Sequence, residues 1–256
     1  MNQSVAIVTG ASQGIGRATA IRLAADFKAV VLAARKESAL QETAQAVRAA
    51  GAEPLVLALD LREPEAAKSL ITKTLERFSR IDALVNIAGA VPQIDLLEMT
   101  DEQWEDGLAL KFHGARRATI HAWPALKKSQ GSVIFTSGNS ALAPKSAFAA
   151  VATINAAIVA MAKAFAERGV KEGVQVNSVL PGPVLTNRRL TYMEKYAPAH
   201  NMTVEEALQK FPAEAGISRY GQPEDIANLM AFLVSPAGKW LTGAAVRMDG
   251  GEVKTI

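Results

Sequence analysis

Seven short apolar or β-branched runs, at 5–8, 29–32, 55–58, 83–85, 132–135, 174–176 and 245–248, recur between segments of helical period. That alternation constrains the fold more than any other feature. Runs that are apolar on both faces suit strands covered from both sides. Parallel strands also need a crossover, and its right-handed form sets helices on the two faces of a sheet. The helical segments read as 18–27, 38–50, 64–78, 103–126, 148–167 and 223–234. The expected fold class is therefore α/β, a doubly wound, mostly parallel sheet. No composition shift, linker or repeat divides residues 1–256, so they read as a single domain. Within it, residues 187–219 are polar and aromatic-tipped and fit neither strand nor helix easily. They read as an insertion over an active-site face.

Composition narrows the function classes. With 49% hydrophobic and 21% charged residues the chain is not a disordered one. Lys and Arg number 28 against 25 Asp and Glu, with no basic run, so nucleic acid is not an expected partner. Cysteine is absent and the three histidines are scattered, which removes disulfides, thiolate metal sites and cysteine nucleophiles and leaves no zinc spacing. No metal is expected. Residues 1–4 and the brief apolar run after them lack a secretory pattern, so the expected location is cytoplasmic. The longest uncharged stretch, 146–162, is near the ~17-residue lower limit of a membrane span. It is alanine-rich and carries Thr153 and Asn155 in its middle, which points to a helix between protein surfaces rather than to a membrane partner.

Thr9-Gly10-Ala11-Ser12-Gln13-Gly14-Ile15-Gly16 follows the first strand and opens the first helix. Glycines there allow a tight turn and close backbone approach, while the helix start offers unpaired amides and partial positive charge to a pyrophosphate. The spacing is Gly-x3-Gly-x-Gly. In this motif the chain resembles the short-chain dehydrogenase/reductase family, and the resemblance extends over essentially its whole length. Asp60-Leu61 matches the family's adenine-contacting turn. Asn86-Ile87-Ala88-Gly89 matches its Asn-Asn-Ala-Gly motif with one change. Pro181-Gly182-Pro183-Val184-Leu185-Thr186 is similar to the nicotinamide-contacting segment, and Gly221 to Ile226 with Asp249-Gly250-Gly251 to the C-terminal pattern. The resemblance implies a Rossmann-type fold, a nicotinamide dinucleotide as cofactor and a homotetramer or dimer. The small-residue face around Ala156 and Ala157 agrees with self-association. At the end of the second strand, Ala33-Ala34-Arg35-Lys36 offers no acid to hold a ribose 2′-hydroxyl, and Arg35 can accept a 2′-phosphate. NADP(H) is favoured. NAD(H) stays the alternative, because Gln13 stands where phosphate-preferring members often carry a base.

The catalytic end departs from the family. Carbonyl reduction of this type takes a proton from a phenol whose pKa a nearby ammonium lowers, and the family supplies the two as Tyr-x3-Lys on one helix face. Tyr192, Tyr196 and Tyr220 have no lysine four residues on, and Val151 and Asn155 occupy the places of the pair. Lys111, in Lys111-Phe112-His113-Gly114, stands where the family has an asparagine. On the fifth strand Ser137 is the candidate for the carbonyl-orienting serine and Ser140 the second choice, although counting from Gly131 puts Gly138 at that position. Lys111 offers a replacement ammonium, able to polarise a carbonyl, hold a carboxylate or contact the nicotinamide ribose. Asn155 retains a hydrogen-bonding amide. Tyr192, Tyr196 and His200 recur at i, i+4, i+8 and read as a lid stripe, with Pro198 set against a continuous helix; His113 and His121 read as packing or surface residues.

The expected function is oxidation or reduction of a small alcohol or carbonyl substrate with an atypical or impaired proton relay. The alternative is a noncatalytic dinucleotide-binding protein, a redox sensor or assembly subunit, and a lyase or isomerase using the cofactor structurally is the third reading. The intact Pro181 to Thr186 segment favours the first and the missing Tyr-x3-Lys the second.

Overall fold

The computed structural model describes residues 4–255. Each of the seven runs is a strand: β1 (Val5–Thr9), β2 (Ala29–Ala34), β3 (Glu53–Ala58), β4 (Ala83–Asn86), β5 (Ser132–Thr136), β6 (Gln175–Pro181) and β7 (Ala245–Met248). They form one parallel sheet in the order β3-β2-β1-β4-β5-β6-β7. The order reverses between β1 and β4, and crevices for ligands open at the carboxyl ends of strands at such a point.

The strands read as apolar runs because both faces are covered. Val5 and Ile7 of β1 face one core, with Val31, Leu70, Ile71, Leu126, Ile154 and Ile158. Ala6 and Val8 face the other, with Leu32, Leu23, Leu40, Ile226 and Met230. The first layer holds α3 (Pro64–Phe78), α5 (Ala115–Ser129) and α6 (Ala149–Glu172); the second holds α1 (Gly14–Leu23), α2 (Glu37–Ala49) and α9 (Pro223–Val234). Each fully buried Leu or Ile contributes about 1.5–3 kcal/mol, so the two layers carry the fold without disulfides.

Three local expectations are corrected. The first helix begins at Gly14, directly at the glycine loop, and 24–27 is a turn closed by the Phe27 amide on the Leu23 carbonyl at 2.9 Å. The segment read as one helix over 103–126 is α4 (Asp101–Gly107), a π-helical stretch (Leu108–Gly114) and α5. The wider turn does not disturb the apolar period enough to be read from it. Residues 187–219 contain two helices, α7 (Asn187–Ala199) and α8 (Val204–Glu214), whose Met193, Ala197 and Ala207 share one buried cluster with Tyr220. Pro198 is accommodated because it falls in the last turn of α7. α6 has the length and hydropathy of a membrane span, yet Ala150, Ile154, Ile158, Ala162 and Ala166 turn one face of it into the core.

Candidate active site

At the end of β1 the Thr9 hydroxyl accepts the Ile87 and Ala88 amides at 3.0 and 3.1 Å, tying the loop after β4 to the glycine loop. Gly10 has φ +70°, and a Cβ there would lie 2.9 Å from the Ala88 nitrogen; one on Gly16 would lie 2.0 Å from the Gly10 carbonyl oxygen. Neither position admits a side chain. Gln13, preceding α1, makes no side-chain cap, so the first amides of that helix are not capped by it. This cradle suits a diphosphate by shape and by helix-end charge.

A cleft of about 970 Å³ opens over the cradle and runs toward β5 and α7. Every nucleotide-site residue expected from the sequence lines it except Asp60 and Asn86. Ser12, Gln13, Gly14 and Ile15 form one wall with Gly10 and Gly16. Arg35, which is exposed, Leu61, Ala88, Gly89, Pro181, Gly182, Val184 and Thr186 also line the cleft, with Thr186 beside Gly14. Asp60 instead receives the Arg62 amide at 3.1 Å and its guanidinium, which also pairs with Asp106 and holds that carboxyl below its usual range. Asn86 is buried; its Nδ2 donates to the Thr119 hydroxyl at 3.3 Å and its Oδ1 has no partner among the described residues.

The four residues expected to carry chemistry are brought together. The π-helical stretch directs Lys111 across Gly89, where a Cβ would lie 2.9 Å from the lysine Cδ. Its Nζ donates to the Ser137 carbonyl at 3.1 Å and to the Asn155 Oδ1. Asn155 donates in turn from Nδ2 to the Ser140 hydroxyl at 2.9 Å, and the Ser137 hydroxyl donates to the Asn155 backbone oxygen at 2.8 Å. Ser137 thus spends its hydroxyl within the cluster. Gly138 makes the arrangement sterically feasible, because a Cβ there would sit 2.6 Å from the Asn155 Nδ2. All of Lys111's partners are neutral. Burial, and after it the charge of Arg188, push the amine down to about 7. Val151 lies one turn before Asn155 on α6 and also faces the cleft.

Two phenols reach the cleft from α7. Burial raises both Tyr192 and Tyr196 above the usual tyrosine range, and the Tyr196 hydroxyl donates to Glu214 at 3.3 Å. The Tyr196 ring stacks on His200 at 3.8 Å. Tyr220 is buried, its hydroxyl without a partner among the described residues, His113 stands edge-on to Phe112, and His121 is exposed. Sequence reasoning missed Arg188 and Arg189, which line the cleft from the first turn of α7. Their position two and three residues beyond Thr186 was the available signal.

Comparison with known proteins finds reductases similar to this chain in sequence and fold. The family model described as Enoyl-(Acyl carrier protein) reductase matches residues 10–252. The 3-oxoacyl-[acyl-carrier-protein] reductase of Synechocystis sp. is 33% identical over 256 residues, covering 99% of this chain and 98% of that protein. Short-chain reductase protein NovJ of Streptomyces niveus is 32% identical over 250 residues, covering 98% of this chain and 94% of that one. L-Sorbose reductase from Gluconobacter frateurii, solved with NADPH and L-sorbose, superposes with a TM-score of 0.93 at 28% identity over 100% of both chains.

Proposed function

The chain belongs to the short-chain dehydrogenase/reductase family, and we propose that it is an NADP(H)-dependent oxidoreductase of a small alcohol or carbonyl compound that works with an amine in place of the family's phenol. The observation that carries this reading is the Lys111 Nζ, held by two neutral acceptors on the wall of the dinucleotide cleft. Gly10, Gly14, Gly16 and the first amides of α1 would hold the pyrophosphate. Arg35 would meet the 2′-phosphate, and the backbone from Pro181 to Val184 with Thr186 the nicotinamide. Leu61, Ala88 and Gly89 would line the adenosine and ribose path. When bound, the nicotinamide gives or takes a hydride.

Lys111 supplies the proton at Nζ. An amine that titrates close to neutrality exchanges protons with solvent in both directions, which is what a general acid–base must do. Ser137 and Asn155 fix two of its N–H directions, leaving the remaining tetrahedral position for substrate oxygen. The Ser140 hydroxyl is the available orienting group. The raised phenols of Tyr192 and Tyr196 are poorly matched to the same task. The two helices of 187–219 close the substrate end, and the exposed small face of α6 at Ala156 supports self-association.

The test is a titration with NADPH and NADH, followed by NADPH consumption over a panel of small aldehydes, ketones and diketones. Turnover that falls ~100-fold or more in Lys111→Met, with nucleotide affinity retained within a few-fold, supports the reading. A second reading, a noncatalytic nucleotide-binding protein, draws support from Val151 at the tyrosine's place. It expects tight nucleotide binding with no turnover in wild type or variant.

A further inference from the structure

Arg188 and Arg189 are neighbours in sequence but are used differently. Arg188 donates to the carbonyls of Gly89 and Val91 at 3.4 and 2.8 Å. Arg189 is half-buried, with its guanidinium carbon 5.3 Å from the centre of the Tyr192 ring and 4.9 Å from that of Phe211. Among the described residues its side chain donates no hydrogen bond and has no carboxylate within 4.0 Å; only its backbone amide is engaged, by the Thr186 hydroxyl. Two aromatic faces stabilise a guanidinium without satisfying its in-plane N–H groups, and a guanidinium carries five of them. The carboxylates at this end of the cleft hydrogen-bond to other groups, and Glu252 acts on Arg189 through its charge without a direct bond. Glu214 accepts the Tyr196 hydroxyl and Glu252 accepts the Asn139 amide. Lys145, Arg188 and Arg189 leave this end with an excess of positive charge over Glu214 and Glu252 even without Lys111.

We infer that Arg189 is the receptor for a carboxylate on the substrate, so that the protein acts on small carbonyl compounds or alcohols that carry a carboxylate. A planar two-oxygen anion matches the fork that the rings leave open, and the contact is made in a partly desolvated place where charge-assisted bonds are strong. The rings hold the guanidinium in orientation, so little side-chain freedom is lost when the anion arrives. The carbonyl part of this inference rests on the oxidoreductase reading; the carboxylate part rests on Arg189 alone.

The experiment compares matched acids and esters on the full chain, pyruvate with methyl pyruvate and levulinate with methyl levulinate. Binding is measured by calorimetry with and without NADPH, and turnover by NADPH consumption. At least one acid is expected to bind ~10-fold or more tightly than its ester, the gain of a charged hydrogen-bonded pair. That preference should shrink to about twofold in Arg189→Met and return in part in Arg189→Lys, with NADPH affinity unchanged. Equal binding of acid and ester by the wild type overturns the inference without reference to any variant. A preference that survives Arg189→Met overturns it too, as does a variant that loses NADPH affinity but keeps the preference, since Arg189 would then serve the nucleotide phosphates. Failure of the oxidoreductase reading shows separately, as absence of nucleotide binding or turnover while the acid–ester difference in nucleotide-free protein persists.

Discussion

The Lys111 ammonium nitrogen donates to the Asn155 side-chain oxygen across the contact between the π-helical stretch and α6. If Lys111 stands at the family's asparagine and Asn155 at its lysine, as proposed above, the two residue types have exchanged helices. Asn155→Lys alone would set two ammonium groups together with no carboxylate among Lys111's partners. A loss of stability is expected, largest where the pH keeps both amines protonated, because the second ammonium meets no carboxylate and drives Lys111 toward its neutral form. Adding Lys111→Asn should recover most of it. Equal melting temperatures for the single and double variants would contradict the exchange. Adding Val151→Tyr to the double variant should then create or raise reduction of a generic diketone, read as NADPH consumption.

Gly138 and the Asn155 amide compete for one volume. A Cβ at 138 would lie 2.6 Å from Nδ2, and Gly138 has φ 171°, extended backbone that any residue adopts, so the obstacle is the neighbour alone. Gly138→Ala should therefore cost about 1–3 kcal/mol through overpacking, and Asn155→Ala in the same chain should remove most of that cost. Chemical denaturation of the four chains gives the coupling. Independent, additive losses would place the clash elsewhere.

The sheet was legible because β1, β2 and β5 bury side chains on both faces, and that leaves an unbroken apolar run with no second interpretation once helices alternate with it. The diphosphate cradle was legible for a similar reason: Gly10 and Gly16 lie where backbone approaches backbone, a requirement that chain position after β1 makes visible. The π-helical stretch was not legible, since Leu108 to Gly114 differs from α-helix only in which carbonyl each amide meets, and no residue type marks that. Nor were Arg188 and Arg189. An arginine on a helix ordinarily reaches solvent; Tyr192 follows Arg189 by three residues on α7, but the second ring, Phe211, is supplied only by the packing of α8. Asp60 and Asn86 matched motifs by sequence, yet their side chains are used in holding Arg62 and Thr119.

Arg35 is exposed at the carboxyl end of β2 on the cleft wall, with Lys36 beside it and no acid at the strand end. Arg35→Glu reverses the sign of charge where a 2′-phosphate would sit. NADPH affinity should fall ~10-fold or more, from the lost charge-assisted contact and added repulsion, whereas NADH affinity should change little or improve. Calorimetric titration with both nucleotides reads the difference directly, and equal losses would refute the phosphate assignment.

Lys111 also makes stability depend on pH in a direction that can be worked out. Its folded-state value, about 7, lies below the ordinary lysine value near 10.5, so between those two limits the unfolded chain binds more protons than the folded one. Unfolding free energy therefore rises with pH across that window, at no more than about 1.4 kcal/mol per pH unit from this group, and below about pH 7 both states hold the proton and the slope vanishes. Lys111→Met keeps the stem over Gly89 and removes the titration. Relative to that variant, the wild type should gain stability from about pH 7 upward, seen as melting curves that separate in its favour as the pH is raised. A separation that is constant with pH would mean that the folded protein holds Lys111 as an ordinary ammonium, and the proton-exchanging role assigned to it would go with it.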